Sequence, residues 1–390
     1  MGARRAVIWV SFGLSLLSII VLGWLWRAQT PGANVLRLTP VDFSALPGWN
    51  ESDARAALSA FHKSCAEIIK RPAASPLGGL YAGTAGDWRG ACAAASGDAR
   101  EFFENNFTPF ALSAGRDTTG LLTGYYEPEI HGSRTEHDSY RIPVYGLPSD
   151  LVSVDLGLFR DALKGERIAG KLQSNKLVPY ATRAEIDAKG LANAPVLFYA
   201  DDPVAVFFLQ VQGSGCVVFD DGSRARAVYA GGNGRLYTAI GRVLAARGAI
   251  ARENLSLQSI RDWLTRHPKD ARAIMETNQS YIFFALEPLG DASLGSKGSE
   301  GVALIPQASL AIDPRIHAFG TPVFAASHLA IAQDTGGAIR GPLRGDFYWG
   351  FGGNAETNAG AMKSPTRFFV LLPKTLAKKI SPFKDYALPP

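Results

Sequence analysis

The chain has 390 residues, 47% of them hydrophobic and 19% charged, with a formal net charge of +5. That length predicts two domains, and that balance excludes a disordered chain. No Lys/Arg run is dense enough for a phosphate-tracking surface, which argues against a nucleic-acid partner.

Arg4 and Arg5 precede an uncharged stretch from Ala6 to Trp26, ended by Arg27. At about 1.5 Å per residue a helix of that length reaches about 31 Å, enough to cross a hydrocarbon core. It lacks an A-x-A-like exit, and Trp24 and Trp26 suit interfacial anchoring. The expectation is an uncleaved signal anchor over residues 1–28, with the body on the periplasmic face of the inner membrane. A cleaved signal, leaving a periplasmic or outer-membrane-associated body, is the alternative. A polar, Pro-containing linker follows over 29–48.

From Trp49 to Phe110 apolar residues recur at helical spacing: Ala57, Leu58, Phe61, Cys65, Ile68, Ile69, then Trp88, Ala91, Ala95, then Phe102 and Phe103. This predicts two or three helices. Cys65 and Cys92 could close a disulfide loop in an exported protein, with two buried thiols as the alternative. Cys216 reads as core. Strands are expected over Leu121–Glu127, Arg141–Tyr145, Val196–Tyr199 and Val206–Val211, with a tight turn at Asp220-Asp221-Gly222. Helices are expected over Leu236–Arg247 and over Leu257–Arg266, the second capped by Ser256. Strands return at Ile282–Ala285, Val302–Ile305, Val323–Ala325, Leu329–Gln333 and Arg367–Leu372. GGNG at Gly231–Gly234 lacks the Lys-Ser/Thr of a phosphate loop, and no His/Cys spacing predicts a metal.

Three aspartates sit in Gly-rich, aromatic phrases of the last quarter: Asp313 in AIDPRIHAFGT, Asp334 in AQDTGGAIRG and Asp346 in RGDFYWG. Desolvation among apolar neighbours raises a carboxyl pKa, and an acid protonated near neutrality can serve a leaving group. Asp-Pro and Asp-x-Gly are also ordinary turn chemistry, so Asp313 reads as structural and a turn or network role stands as the alternative for Asp334. The hairpin-like segment GGAIRGPLRG is expected to bring Asp334 and Asp346 to one cleft. Thr123-Gly124-Tyr125 and Gln212-Gly213-Ser214 offer the rings, hydroxyls, amide and close-approach glycines that bind sugars, against the alternative of plain strand ends. Tyr348 either stacks on sugar or fills the core.

The run from Gly298 to Gly352 resembles the 3D domain of the membrane-bound lytic murein transglycosylase A family. Similar phrases lie upstream: LLTGYYEPEIHG, YRIPVYGLP, VQGSGCVVFDDG and YAGGNGRLYTAIGRVL. The likeness spans about Ala56 to Leu372. There is no Cys near the end of the apolar segment, so the lipid attachment of the family's lipoprotein members is excluded at that site.

The resemblance implies a mainly β protein with N-terminal helices (α+β), a double-psi β-barrel carrying a second, smaller inserted β-barrel. On that map residues 49–126 hold the helices and the first part of the large barrel, 127–278 the insert, 279–378 the 3D domain and 379–390 a tail. It implies a cofactor-free exolytic lyase that cleaves the β-1,4 bond between N-acetylmuramic acid and N-acetylglucosamine. Asp346 would be the catalytic acid, with Asp334 as its candidate second. Thr123, Gly124, Tyr125, Gln212, Gly213, Ser214, Tyr229 and Tyr348 would contact glycan. Peptidoglycan strands and the membrane are the implied partners, with murein synthase or divisome complexes as further candidates. Two rivals stand beside it: a two-carboxylate hydrolase, and a non-catalytic expansin-like wall-binding module.

Overall fold

The computed structural model describes residues 35–163, 166–291, 293–380 and 384–389. The expected anchor lies outside them, as does the linker up to residue 34. Among the described residues no helix is long and apolar enough to cross a membrane.

β1 (Val35–Pro40) leads to three helices, α1 (Ala54–Lys70), α2 (Ala85–Ala93) and α3 (Ala99–Asn106). Each begins where a side chain satisfies orphan N–H groups. Asp53 accepts from Arg55 N, Asp98 accepts from Glu101 N, and Thr84 with Asp87 forms a capping box. In α1 the buried residues Ala57, Phe61, Ser64, Cys65 and Ile68 recur at three- and four-residue steps, which places them on one face. There Phe61 meets the rings of Trp88, Phe102, Phe103 and Phe107, at centroid distances of 5.5 to 6.4 Å. A Cys65–Cys92 disulfide joins α1 to α2. Closing a loop of that size stabilises the fold by about 3 kcal/mol.

β2 (Phe107–Ala114) and β3 (Gly120–Glu127) follow α3. The chain then builds a separate sheet. Its strands are β4 (Glu129–Ser133), β5 (Ile142–Tyr145), β9 (Val196–Ala200), β10 (Gly215–Phe219), β11 (Arg224–Gly232) and β12 (Ile282–Pro288), in the order β12-β11-β10-β4-β9-β5. A bridge between Gly146 and Phe284 brings its two ends together. Its core includes Ile130, Val144, Phe198, Val217, Phe219 and Phe284. A small meander projects from it: β6 (Val152–Asp155), β7 (Arg167–Gln173) and β8 (Lys176–Pro179). Five helices accompany these strands: α4 (Arg183–Lys189), α5 (Pro203–Gln212), α6 (Ile240–Ala246), α7 (Leu257–Arg266) and α8 (Pro268–Met275). Because β12 pairs with β11, strand pairing carries this unit to Pro288, beyond Asn278.

The C-terminal part contributes β13 (Ser309–Ile312), β14 (Pro322–Ala325), β15 (His328–Thr335), β16 (Arg344–Phe351), α9 (Gly353–Ala361), β17 (Lys363–Thr366), β18 (Phe368–Pro373), α10 (Lys374–Ala377) and β19 (Asp385–Ala387). These strands join β1, β2 and β3 in one ten-stranded sheet, ordered β17-β3-β16-β13-β15-β14-β18-β2-β1-β19. Chain segments on either side of the six-stranded sheet thus share hydrogen bonds and one hydrophobic core. Two pairs in this sheet, β3/β16 and β13/β15, are parallel. The architecture mixes helices and sheets throughout.

Three expectations fail. Val206–Val211 is not a strand but most of α5. Asp202 accepts from Val204 N and Pro203 opens the first turn, both helix-start signals. The helix is buried over Val206–Gln210, so no polar face marks its period. Val302–Ile305 makes a single bridge, Ala303 to Lys297, because Gly301 at φ 92° has just turned the chain. The helix expected from Leu236 starts only at Ile240. Thr238 N is instead held by Asn278 Oδ1, at 3.0 Å.

Candidate active site

Four neighbouring strands place four residues in a row. Asp334 on β15 is in register with Ala311 on β13, Ala311 with Asp346 on β16, and Asp346 with Thr123 on β3. Directly opposed residues share a sheet face. Two strand spacings therefore separate the aspartate backbones by about 10 Å, and the residue in the row between them is Ala311, whose side chain is a single methyl. The result is a trough with an acid on each side. GGAIRGPLRG is accordingly not a hairpin: β15 and β16 do not pair, and the segment passes over β13. A hairpin would have set the acids side by side; the crossover opens the gap.

The trough is the floor of a cavity of about 340 Å³. Thr123, Ala311, Asp334, Arg344 and Asp346 come from the ten-stranded sheet, and 335–339 form one wall. The opposite wall comes from the inserted unit: Arg183, Gln210, Gln212, Tyr237, Asn278 and Ser280. Arg183 pins that wall. It donates to Asn278 O at 3.1 Å and Ser280 O at 2.7 Å, and lies over the Phe207 and Tyr281 rings.

Asp346 is half-buried, and burial raises its carboxyl from 3.8 to about 6. A hydrogen bond from Thr123 Oγ1 to Oδ1 and the nearby Arg344 guanidinium oppose that rise, while the Asp334 charge adds to it. Among the described residues no hydrogen bond reaches Oδ2. Asp334 is also raised by burial, but it is held more firmly. Its Oδ2 accepts from Tyr125 OH at 2.8 Å, and Oδ1 accepts from Ser299 N and Oγ, both at 3.0 Å. Tyr125 in turn packs on Tyr348, with ring centroids 5.1 Å apart.

Asp313 is fully buried. Burial alone would raise it, yet the Arg315 guanidinium and the N–H groups of Gly341 and Arg315 hold it below the usual carboxylate range. Its Oδ2 accepts from Gly341 N at 2.9 Å, which ties down the loop that walls the cavity.

The other expected contacts divide. Thr123, Gly124, Tyr125 and Gln212 line the cavity. Gly124 offers its backbone there, but its close approach is to α9: a Cβ would lie 2.9 Å from Ala359 Cα and 2.7 Å from the Trp349 ring. Gly213, at φ 86°, ends α5 and does not line the cavity. Ser214 is buried, donating to Glu127 Oε1 at 3.1 Å. Tyr229 is 60% exposed on β11, outside the cavity. Tyr348 is buried beneath Tyr125. Arg344, Arg183 and Tyr237 were not foreseen. Arg344 had a signal, since it stands two residues before Asp346 on a strand and so shares its face. Arg183 and Tyr237 had none, because the insert's folding alone brings them across.

Two family descriptions match the chain: the MltA specific insert domain over residues 121–285 and the 3D domain over 308–372. A membrane-bound lytic murein transglycosylase A from Vibrio cholerae is 35% identical over 277 residues, covering 65% of this chain and 66% of the relative. The crystal structure of a membrane-bound lytic murein transglycosylase from Agrobacterium tumefaciens is 32% identical, with a TM-score of 0.76 over 88% of this chain and 99% of that one. The Escherichia coli MltA crystallised with bound chitohexaose is 25% identical, with a TM-score of 0.65 over 88% of this chain and 96% of that one. The chain belongs to the membrane-bound lytic murein transglycosylase A family.

Proposed function

We propose that this chain cleaves the β-1,4 bond between N-acetylmuramic acid and N-acetylglucosamine in peptidoglycan without consuming water, leaving 1,6-anhydro ends. The observation that carries this reading is Asp346: a half-buried acid on the cavity floor, raised to about 6, with one oxygen fixed by Thr123. The protonated carboxyl gives its proton to the glycosidic oxygen as the C1–O bond breaks. The resulting carboxylate takes the proton of the sugar's own C6 hydroxyl, whose oxygen closes on C1. Asp346 ends as it began, and no second catalytic carboxylate is required. The tethered nucleophile replaces a bimolecular encounter.

Asp334 supplies a fixed negative field across the trough for the oxocarbenium-like state. Its role as the base of a hydrolase is disfavoured, because both its oxygens are already committed to Tyr125 and Ser299. The chitohexaose bound to the Escherichia coli relative supports a β-1,4-linked amino-sugar polymer as the ligand class. On this reading the ten-stranded sheet, with its two parallel pairs, forms the double-psi barrel. The six strands joined by the Gly146–Phe284 bridge form the smaller one. Residues 1–28 hold the enzyme to the membrane, and it works exolytically as a lyase. Mass spectrometry of murein digested by wild type and by Asp346→Ala tests the assignment. Anhydro-muropeptides are expected from the first and not the second; their release by the substituted enzyme would overturn it.

A further inference from the structure

Beside the cavity, and sharing Val211 and Tyr237 with it, lies a second pocket of about 300 Å³. It opens where α5, α6 and α7 meet, and no reaction step uses it. Its lining is apolar, including Phe208, Ile240, Leu257 and Ile260, and among the described residues Arg242 is the one charged side chain in it. Arg242 is exposed and makes no ion pair among the described residues. Among the described residues no carboxylate lines the pocket.

Sugar hydroxyls would find almost no partners in such a lining, and burying them unpaired is unfavourable. A short peptide with methyl side chains and a carboxylate matches it, the methyls on the apolar floor and the acid at Arg242. In murein that ligand is carried on the muramyl ring itself, next to the bond to be cut. Val211 and Tyr237 line both spaces, so the pocket adjoins the cavity and lies within reach of a peptide carried on the ring bound there. We infer that this pocket binds the stem peptide of the muramyl residue, so that the enzyme favours glycan strands that still carry stems. The inference rests on the proposed transglycosylase reading.

The test compares glycan strands bearing stems with the same strands stripped by an amidase. Wild type should show a kcat/KM about tenfold higher on stem-bearing strands, the factor expected from burying two methyl groups. Ala239→Phe, which fills the pocket from its half-buried edge, should abolish the preference. So should Arg242→Ala, an exposed change that leaves the fold intact. Both should cleave stripped strands within about twofold of wild type, since neither residue lines the cavity. Equal rates on the two substrates by wild type, or an undiminished preference in Arg242→Ala, would overturn the inference. If wild type made no anhydro ends from either substrate, the transglycosylase reading would fail instead. Calorimetric binding of free muramyl dipeptide would then still decide on the pocket: binding lost in Arg242→Ala upholds it, and binding unchanged rejects it.

Discussion

Asp346→Asn should stabilise the fold while abolishing turnover, and the stabilisation should depend on pH. Burial moves the carboxyl from 3.8 to about 6. At about 1.4 kcal/mol per decade the folded anion is disfavoured by roughly 3 kcal/mol. The residue faces a cavity that water enters, so we expect roughly 1–2 kcal/mol of this to be realised. The sign follows from proton uptake. Between pH about 4 and 6 the folded state holds a proton that the unfolded chain has lost, so wild type loses stability as pH rises through that window. Asparagine keeps the acceptor for Thr123 and carries no charge. The gap between the two proteins should therefore be small below pH 4 and full above pH 6. For a chain of this length, 1–2 kcal/mol shifts Tm by roughly 1–3 °C. Thermal unfolding of both proteins across that range measures it. A difference that does not change with pH would refute a raised Asp346 carboxyl.

Thr123→Val removes a hydrogen bond that favours the Asp346 anion, so the fall in kcat/KM with rising pH should move to higher pH. An unmoved or lowered limb would contradict this. Ala311→Leu fills the gap between the acids and should cut kcat/KM by about 10²-fold or more, with Tm changed by only a few degrees. Near-wild-type turnover would show that the substrate does not cross Ala311. Replacing Cys65 and Cys92 together by Ala should cost about 3 kcal/mol in denaturant unfolding, and reduction of wild type should mimic it.

Much of this was legible because local chemistry and tertiary packing agree. The α1 stripe, with Asp53 before it, announces its own burial, and the Asp220-Asp221-Gly222 turn joins β10 to β11 where its residues demand one. Asp346 stood out because an acid among Phe, Tyr and Trp cannot be well solvated. What could not be read was long-range. α5 shows no periodicity because it is buried on nearly all sides. The row Asp334–Ala311–Asp346–Thr123 depends on strand order, and strand order puts β13 between two strands that look like a hairpin in sequence. Gly124 lines the cavity as expected of it, but the close approach its missing side chain permits is to α9, which sequence does not show.

The central claim is that a single acid serves twice while the sugar supplies its own nucleophile. Digestion of purified murein in water enriched in heavy oxygen tests it most directly. The account predicts 1,6-anhydro products carrying no label at C1. Labelled reducing ends would contradict it, for they would show that water, not the C6 hydroxyl, attacks beside Asp346.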